Sequence, residues 1–311
     1  MYDAPQPPSP SHARRLSKVI VALVAVGLVG YTAWKLLPYL PNRGVSTQTA
    51  DPQESLLKAR KALLQHSRQH AQRPGSLPCP DLNSDGLAEL PTAGHCPSPL
   101  GRFPWKTLGF SQELRDRAGE TLWYVISPSL RDDPIAQPIH ISTATQLTLD
   151  GKGGLAALII GPGRALPSQS TRPDGPRAAG NQVSDYLEAG NIDDDLNFVS
   201  QSAITKVNDE FVTLSQKDLM NAVAERATTE LAAVLAPYQV QKGGYPPDQA
   251  SFVQEASQKL APGHWLLSNL WLPQIRYTRQ DPALVRLVFG ECAAVYTLKF
   301  PGTVTPAPGS C

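Results

Sequence analysis

The strongest pattern in the chain is an unbroken apolar run, Val19 to Leu37, set in a sequence whose other apolar residues come in short, spaced groups. At about 1.5 Å per residue the run reaches roughly 28 Å, close to the thickness of a bilayer's hydrocarbon core. Its single charge, Lys35, sits near the end, where a long side chain can reach the interface. Arg14, Arg15 and Lys18 precede the run, and Tyr31, Trp34 and Tyr39 gather at its far end. Basic residues stay on the cytoplasmic side and aromatic rings settle at interfaces, so the pattern predicts a transmembrane anchor over residues 19–40. A cytoplasmic tail, residues 1–18, lies before it and an exported remainder after it. The run is longer than a signal-peptide core and no small-residue cleavage site follows, which favours a retained anchor.

Past a polar spacer, residues 41–52, the period becomes helical. From about Gln53 to Gln72, Leu56, Leu57, Ala59, Leu63 and Leu64 line one face and Lys58, Arg60, Lys61 and Arg68 the other, until Pro74-Gly75 stops the helix. The stretches Gly119 to Ser127 and Gly154 to Ile160 read as strands, and residues 164–190 as a long Pro/Gly loop without period. Ser215 with Asp218 approximates a capping box. Met220, Val223, Ala227, Leu231, Val234 and Tyr238 then recur at spacings of three and four, with Pro237 expected to end or kink the helix. Leu284 to Phe289 and Ala293 to Phe300 read as a hairpin across Gly290-Glu291. Both helices lead through glycine to proline, which suggests a duplicated helix-plus-sheet unit, 53–205 and 206–311. The fold class expected is α+β: a transmembrane helix, then amphipathic helices packed on antiparallel sheet.

Composition narrows the function classes. A formal net charge of +1 leaves no basic surplus to neutralise phosphates, which argues against a nucleic-acid partner. With 30 prolines and 23 glycines the exported part should be rich in loops and short elements. Four cysteines in an oxidising compartment imply disulfides, and of the three connectivities sequence proximity favours Cys79–Cys96 and Cys292–Cys311.

The sharpest chemical signal is Asp81-Leu82-Asn83-Ser84-Asp85-Gly86. The D-x-N-x-D-G spacing can aim the side-chain oxygens of Asp81, Asn83 and Asp85 at one calcium ion, with the Leu87 carbonyl or the Glu89 carboxylate completing the shell. Thr92 stands where an EF-hand places its bidentate glutamate. An Asx-rich turn braced by Cys79–Cys96 is the competing reading, and both stay open at this point. His66 and His70 share a helix face but have no evident third ligand. Asn191 to Asp195 reads as a solvated acidic loop. No nucleophile elbow, P-loop or dinucleotide fingerprint is present, and Trp105, Trp123, Trp265 and Trp271 read as core filling, so a non-enzymatic role is expected.

A membrane helix continued by an amphipathic helix and a Gly/Pro turn resembles type IV pilins and type II secretion pseudopilins. The set Leu77-Pro78-Cys79-Pro80-Asp81, Asp81 to Gly86, Gly101 to Gly109, Leu122-Trp123-Tyr124 and Asp218-Leu219-Met220 is similar to a group of bacterial envelope proteins with prepilin-like ends. This chain departs from prepilins in lacking the glycine of the peptidase site and the glutamate of the mature helix before Val19. The resemblance implies a single-pass protein of the bacterial inner membrane with its N-terminus in the cytoplasm and its C-terminal domain in the periplasm. Its partners would then be the membrane and proteins of a pilus-like or type II secretion-like assembly. A freestanding binding module or adhesin with a calcium-stabilised loop is the alternative expectation.

Overall fold

A computed structural model describes residues 52–173, 180–193, 195–200, 206–290, 294–299 and 302–306. The expected anchor, with Arg14, Arg15, Lys18, Trp34 and Lys35, lies outside these residues, and so does the Cys292–Cys311 pair.

The first helix, α1 (Pro52–Gln69), puts Leu56, Ala59 and Leu63 on one stripe, all three fully buried. Leu57 falls off that stripe and is about half exposed. Burying such a leucine contributes about 2–3 kcal/mol, so the stripe decides how the helix is seated. The first sheet has short strands β1 (Leu100–Arg102), β2 (Trp123–Ile126), β3 (Leu147–Leu149) and β5 (Asn197–Phe198) around a long one, β4 (Lys152–Gly161). Strand β6 (Glu210–Ser215) also pairs with β4, antiparallel from Leu155↔Ser215 to Gly161↔Glu210. Helix α2 (Gln216–Lys242) starts at once, its first turn capped by the Ser215 hydroxyl, which accepts from the Asp218 amide at 3.0 Å. It runs through Pro237 and stops only at Gly243, whose φ of +69° supplies the left-handed C-cap. Helix α3 (Gln249–Lys259) and one turn at Trp265–Ser268 lead into a four-stranded antiparallel meander: β7 (Ile275–Asp281), β8 (Leu284–Phe289), β9 (Ala294–Lys299) and β10 (Thr303–Pro306).

The expected fold class is corrected in three respects. The described residues form a mixed α+β unit with two sheets and four α-helices, none long and apolar enough to cross a membrane. Helix α1 carries Lys58, Arg60, Lys61 and Arg68 away from its buried stripe, so it seats on protein, and among the described residues a pilin-like N-terminal helix is not seen. The first sheet is not purely antiparallel, because β3 and β5 pair in parallel at Thr148↔Asn197. Nor do residues 53–205 and 206–311 stand apart as two units: α1, α2 and α3 share one apolar core with both sheets, and β6, beyond residue 205, belongs to the first sheet.

Strand β4 explains its own unbroken apolar sequence. Ala157 and Ile159 face the helices, while Leu158 and Ile160 face a second core with Trp123, Val125, Tyr186, Leu187 and Phe198. A strand covered on both faces needs no polar alternation. The cover on the second face is the long loop between β4 and β6, whose described residues hold short 3-10 turns and the two-residue β5.

Candidate functional site in a disulfide-closed loop

The motifs Leu77 to Gly86, Gly101 to Gly109 and Leu122 to Tyr124 are separated in sequence and meet in space. Asp81 and Arg102 form a bridge, exchanging backbone hydrogen bonds of 2.9 and 2.7 Å. The Phe103 amide donates to the Leu122 carbonyl at 3.0 Å, and the Tyr124 hydroxyl donates to the Pro78 carbonyl at 3.2 Å. Together they anchor the loop closed by the expected Cys79–Cys96 disulfide, whose Cα atoms lie 5.5 Å apart.

Within the loop, D-x-N-x-D-G builds a ladder of Asx turns. Asp81 is buried; its Oδ1 accepts from the amides of Asn83 (3.1 Å) and Ser84 (2.7 Å), and its Oδ2 from that of Gly86 (2.7 Å). Asn83 Oδ1 accepts from the Asp85 amide at 2.9 Å, and Asp85 Oδ1 from the Leu87 amide at 2.7 Å. Glu89 Oε1 accepts from the Leu82 amide at 3.2 Å, and the Lys106 ammonium donates to the Asp85 carbonyl. Burial pushes the Asp81 carboxyl up, against the pull of its three amides. Gly86, at φ +86°, is irreplaceable on packing grounds as well, because a Cβ there would sit 2.6 Å from the Trp105 indole.

This arrangement fits calcium poorly. Both oxygens of Asp81 are engaged by amides, Glu89 is turned to a backbone donor, and a lysine cation sits on the loop. Among the described residues no three His, Cys, Asp or Glu side chains group as a metal cage. Asp81, Asn83, Asp85, Leu87 and Glu89 are thus brought together, but through hydrogen bonds among themselves rather than around one point.

What the motif search missed is the loop's apolar edge. Leu87 is 50% and Leu90 83% exposed, and Ile135, 76% exposed, reaches the end of the loop beside Gly94. The signal was available as two leucines inside a polar, turn-forming segment. Asp85 is exposed next to Leu87, which gives the apolar edge an acidic border.

Other candidate residues are occupied structurally. His70 accepts from the Arg73 amide at Nδ1 (3.0 Å) and places Nε2 3.0 Å from the Asp132 carboxylate. Burial, and then the neighbouring His70, hold His66 below its ordinary value. Trp123, Trp265 and Trp271 are buried, and Trp105 is packed against the main core. Comparison of the chain with protein-family models, curated proteins and solved structures finds no match.

Proposed function

We propose that the chain is a non-enzymatic, membrane-tethered periplasmic protein, a structural or accessory component of a pilus-like or type II secretion-like assembly. It docks to its protein partner through the loop Cys79–Cys96. The observation that carries this reading is a segment fixed by a disulfide and a ladder of internal hydrogen bonds, yet presenting Leu87 and Leu90 to solvent. Exposed leucines on a flexible loop would collapse onto the protein; held rigidly outward, they lose little entropy when a partner covers them. The partner's matching surface is an apolar pocket with a basic rim, complementary to Leu87, Leu90, Asp85 and Glu89. The disulfide also suits an oxidising, exported location.

The test is chemical crosslinking in intact envelopes. The parent protein should be trapped with components of a pilus or secretion assembly, and Leu87→Asp with Leu90→Asp should abolish the adduct while leaving the melting temperature in place. Recovery of the parent alone would overturn the reading.

A further inference from the structure

The long loop between β4 and β6 is fastened by a cluster of polar side chains that the docking reading does not use. Glu188 and Asp209, the latter at the entry to β6, are both buried. The Asn208 amide donates to Glu188 Oε2 at 3.1 Å, and Gln169 Nε2 donates to Glu188 Oε1 at 2.6 Å. Asn191 Nδ2 donates to Asp209 Oδ2 at 3.0 Å, while Asn191 Oδ1 accepts from the Val199 amide at 2.8 Å. Asp209 Oδ1 is buried without a hydrogen-bond partner, and the nearest charge acting on Asp209 is the Glu188 carboxylate. Two neighbouring carboxyl groups buried among neutral donors resist carrying two charges, so one of them keeps its proton.

We propose that Glu188 and Asp209 form a proton-dependent latch that holds the loop over the second face of the first sheet and releases it as the medium turns alkaline. Asn208, whose amide bonds to Glu188, also lines a cleft of about 530 Å³ with Glu210 and, on the loop side, Arg164 to Pro167, so release of the loop reshapes that cleft.

The charged groups around the pair, among the described residues, are few. Arg172 faces Glu188 and spreads its guanidinium over the carbonyls of Gly163 (2.8 Å), Asp185 (2.7 Å) and Tyr186 (2.9 Å). Glu120 lies 3.7 Å from Arg172, with Arg102, Arg115 and Asp116 behind it, and Glu210 pairs with Arg117 at 3.6 Å. Only Arg172 offers the pair a positive charge, which is too little to ionise two adjoining carboxyls. Burial first, then the Glu188 charge, pushes Asp209 up to about 8, and burial raises Glu188 too. Once the loop opens, Asp209 returns towards 3.8. Between those pH values the open form releases a proton that the closed form keeps. Opening therefore becomes easier by up to about tenfold per pH unit as pH rises, and levels off above the upper value.

Hydrogen exchange on the full chain, expressed as protection relative to intrinsic rates, tests this between pH 5.5 and about 8. Protection at Asn208 and Val199, whose amides bond to the latch, should fall by up to about tenfold per unit, while Leu287 in the second sheet stays level. Asp209→Asn removes the titrating proton at nearly constant shape and should flatten the dependence; Glu188→Gln provides the same test if the first variant folds poorly. Glu120→Gln should preserve the slope. A level profile in the parent chain, or an unchanged slope in both latch variants, would overturn the proposal.

Discussion

Two irregular segments flank the first sheet, and they are held by opposite means. The loop Cys79–Cys96 is closed covalently, satisfies its carboxylates with its own amides, and turns Leu87 and Leu90 outward. The loop between β4 and β6 has no covalent tie among its described residues, turns Tyr186 and Leu187 inward, and is fastened by groups that titrate. The comparison teaches that lack of regular structure says little about rigidity. What matters is whether a segment's fastenings depend on solvent conditions. One segment is suited to fixed display and the other to conditional cover.

Breaking the cover should have the largest effect. Arg102 is buried with its guanidinium 4.1 Å from the ring centres of both Trp123 and Tyr186, and it donates to the Thr121 and Gly180 carbonyls. Arg102→Ala should cost about 4 kcal/mol in denaturant unfolding, since it removes two desolvated ring contacts and two charged hydrogen bonds. Opening the covalent tie by Cys79→Ser with Cys96→Ser comes next, at about 3 kcal/mol for a closed loop of sequence separation 17. It should also free the Asx ladder, so the exchange protection of Gly86 ought to fall more than that of Asn208.

How much of this contrast could be read from sequence depends on the kind of interaction. The stripe Leu56, Ala59, Leu63 and the two-faced run of β4 are written in local periodicity, and the α1 and β4 elements follow it closely. Cys79–Cys96 was legible because its two ends are near in the chain. Strand β6 was not, because Glu210 to Ser215 alternates only weakly and is stabilised by pairing with β4, which lies far away in sequence. Helix α2 passes Pro237 because burial of Leu231, Leu235 and Gln239 holds the turns on either side of it. The Asx motif and its two readings were legible, but the choice between them was not, since D-x-N-x-D-G specifies the turn equally well whether its oxygens face a cation or their own amides. The Glu188–Asp209 pair had no sequence signal: the two acids gain their meaning from a fold that brings them together.

Smaller effects sharpen the comparison. In the covering loop the sign of the pH effect follows from raised carboxyls: the protonated pair stabilises the fold below the upper value and that contribution is lost as pH rises. The melting temperature of Asp209→Asn should therefore gain on that of the parent chain from pH 5.5 to about 8, read by calorimetry at each pH. In the displayed loop, Leu87→Asp with Leu90→Asp should change stability by less than about 0.5 kcal/mol per site, because both side chains already stand in water. Smallest of all, calcium or a chelator should move the melting temperature by less than about 1 °C, since the Asp81 and Glu89 oxygens a cation would need are already engaged by amides.

The central claim is that the disulfide-closed loop is where this protein meets its partner, and a photoreactive side chain at position 90, activated in intact envelopes, tests it most directly. The account predicts one discrete adduct with a pilus- or secretion-type component, absent when Leu87 is changed to Asp and absent from the equally exposed Val240 on α2, 77% exposed. No adduct from position 90, or the same adduct from both positions, would contradict it.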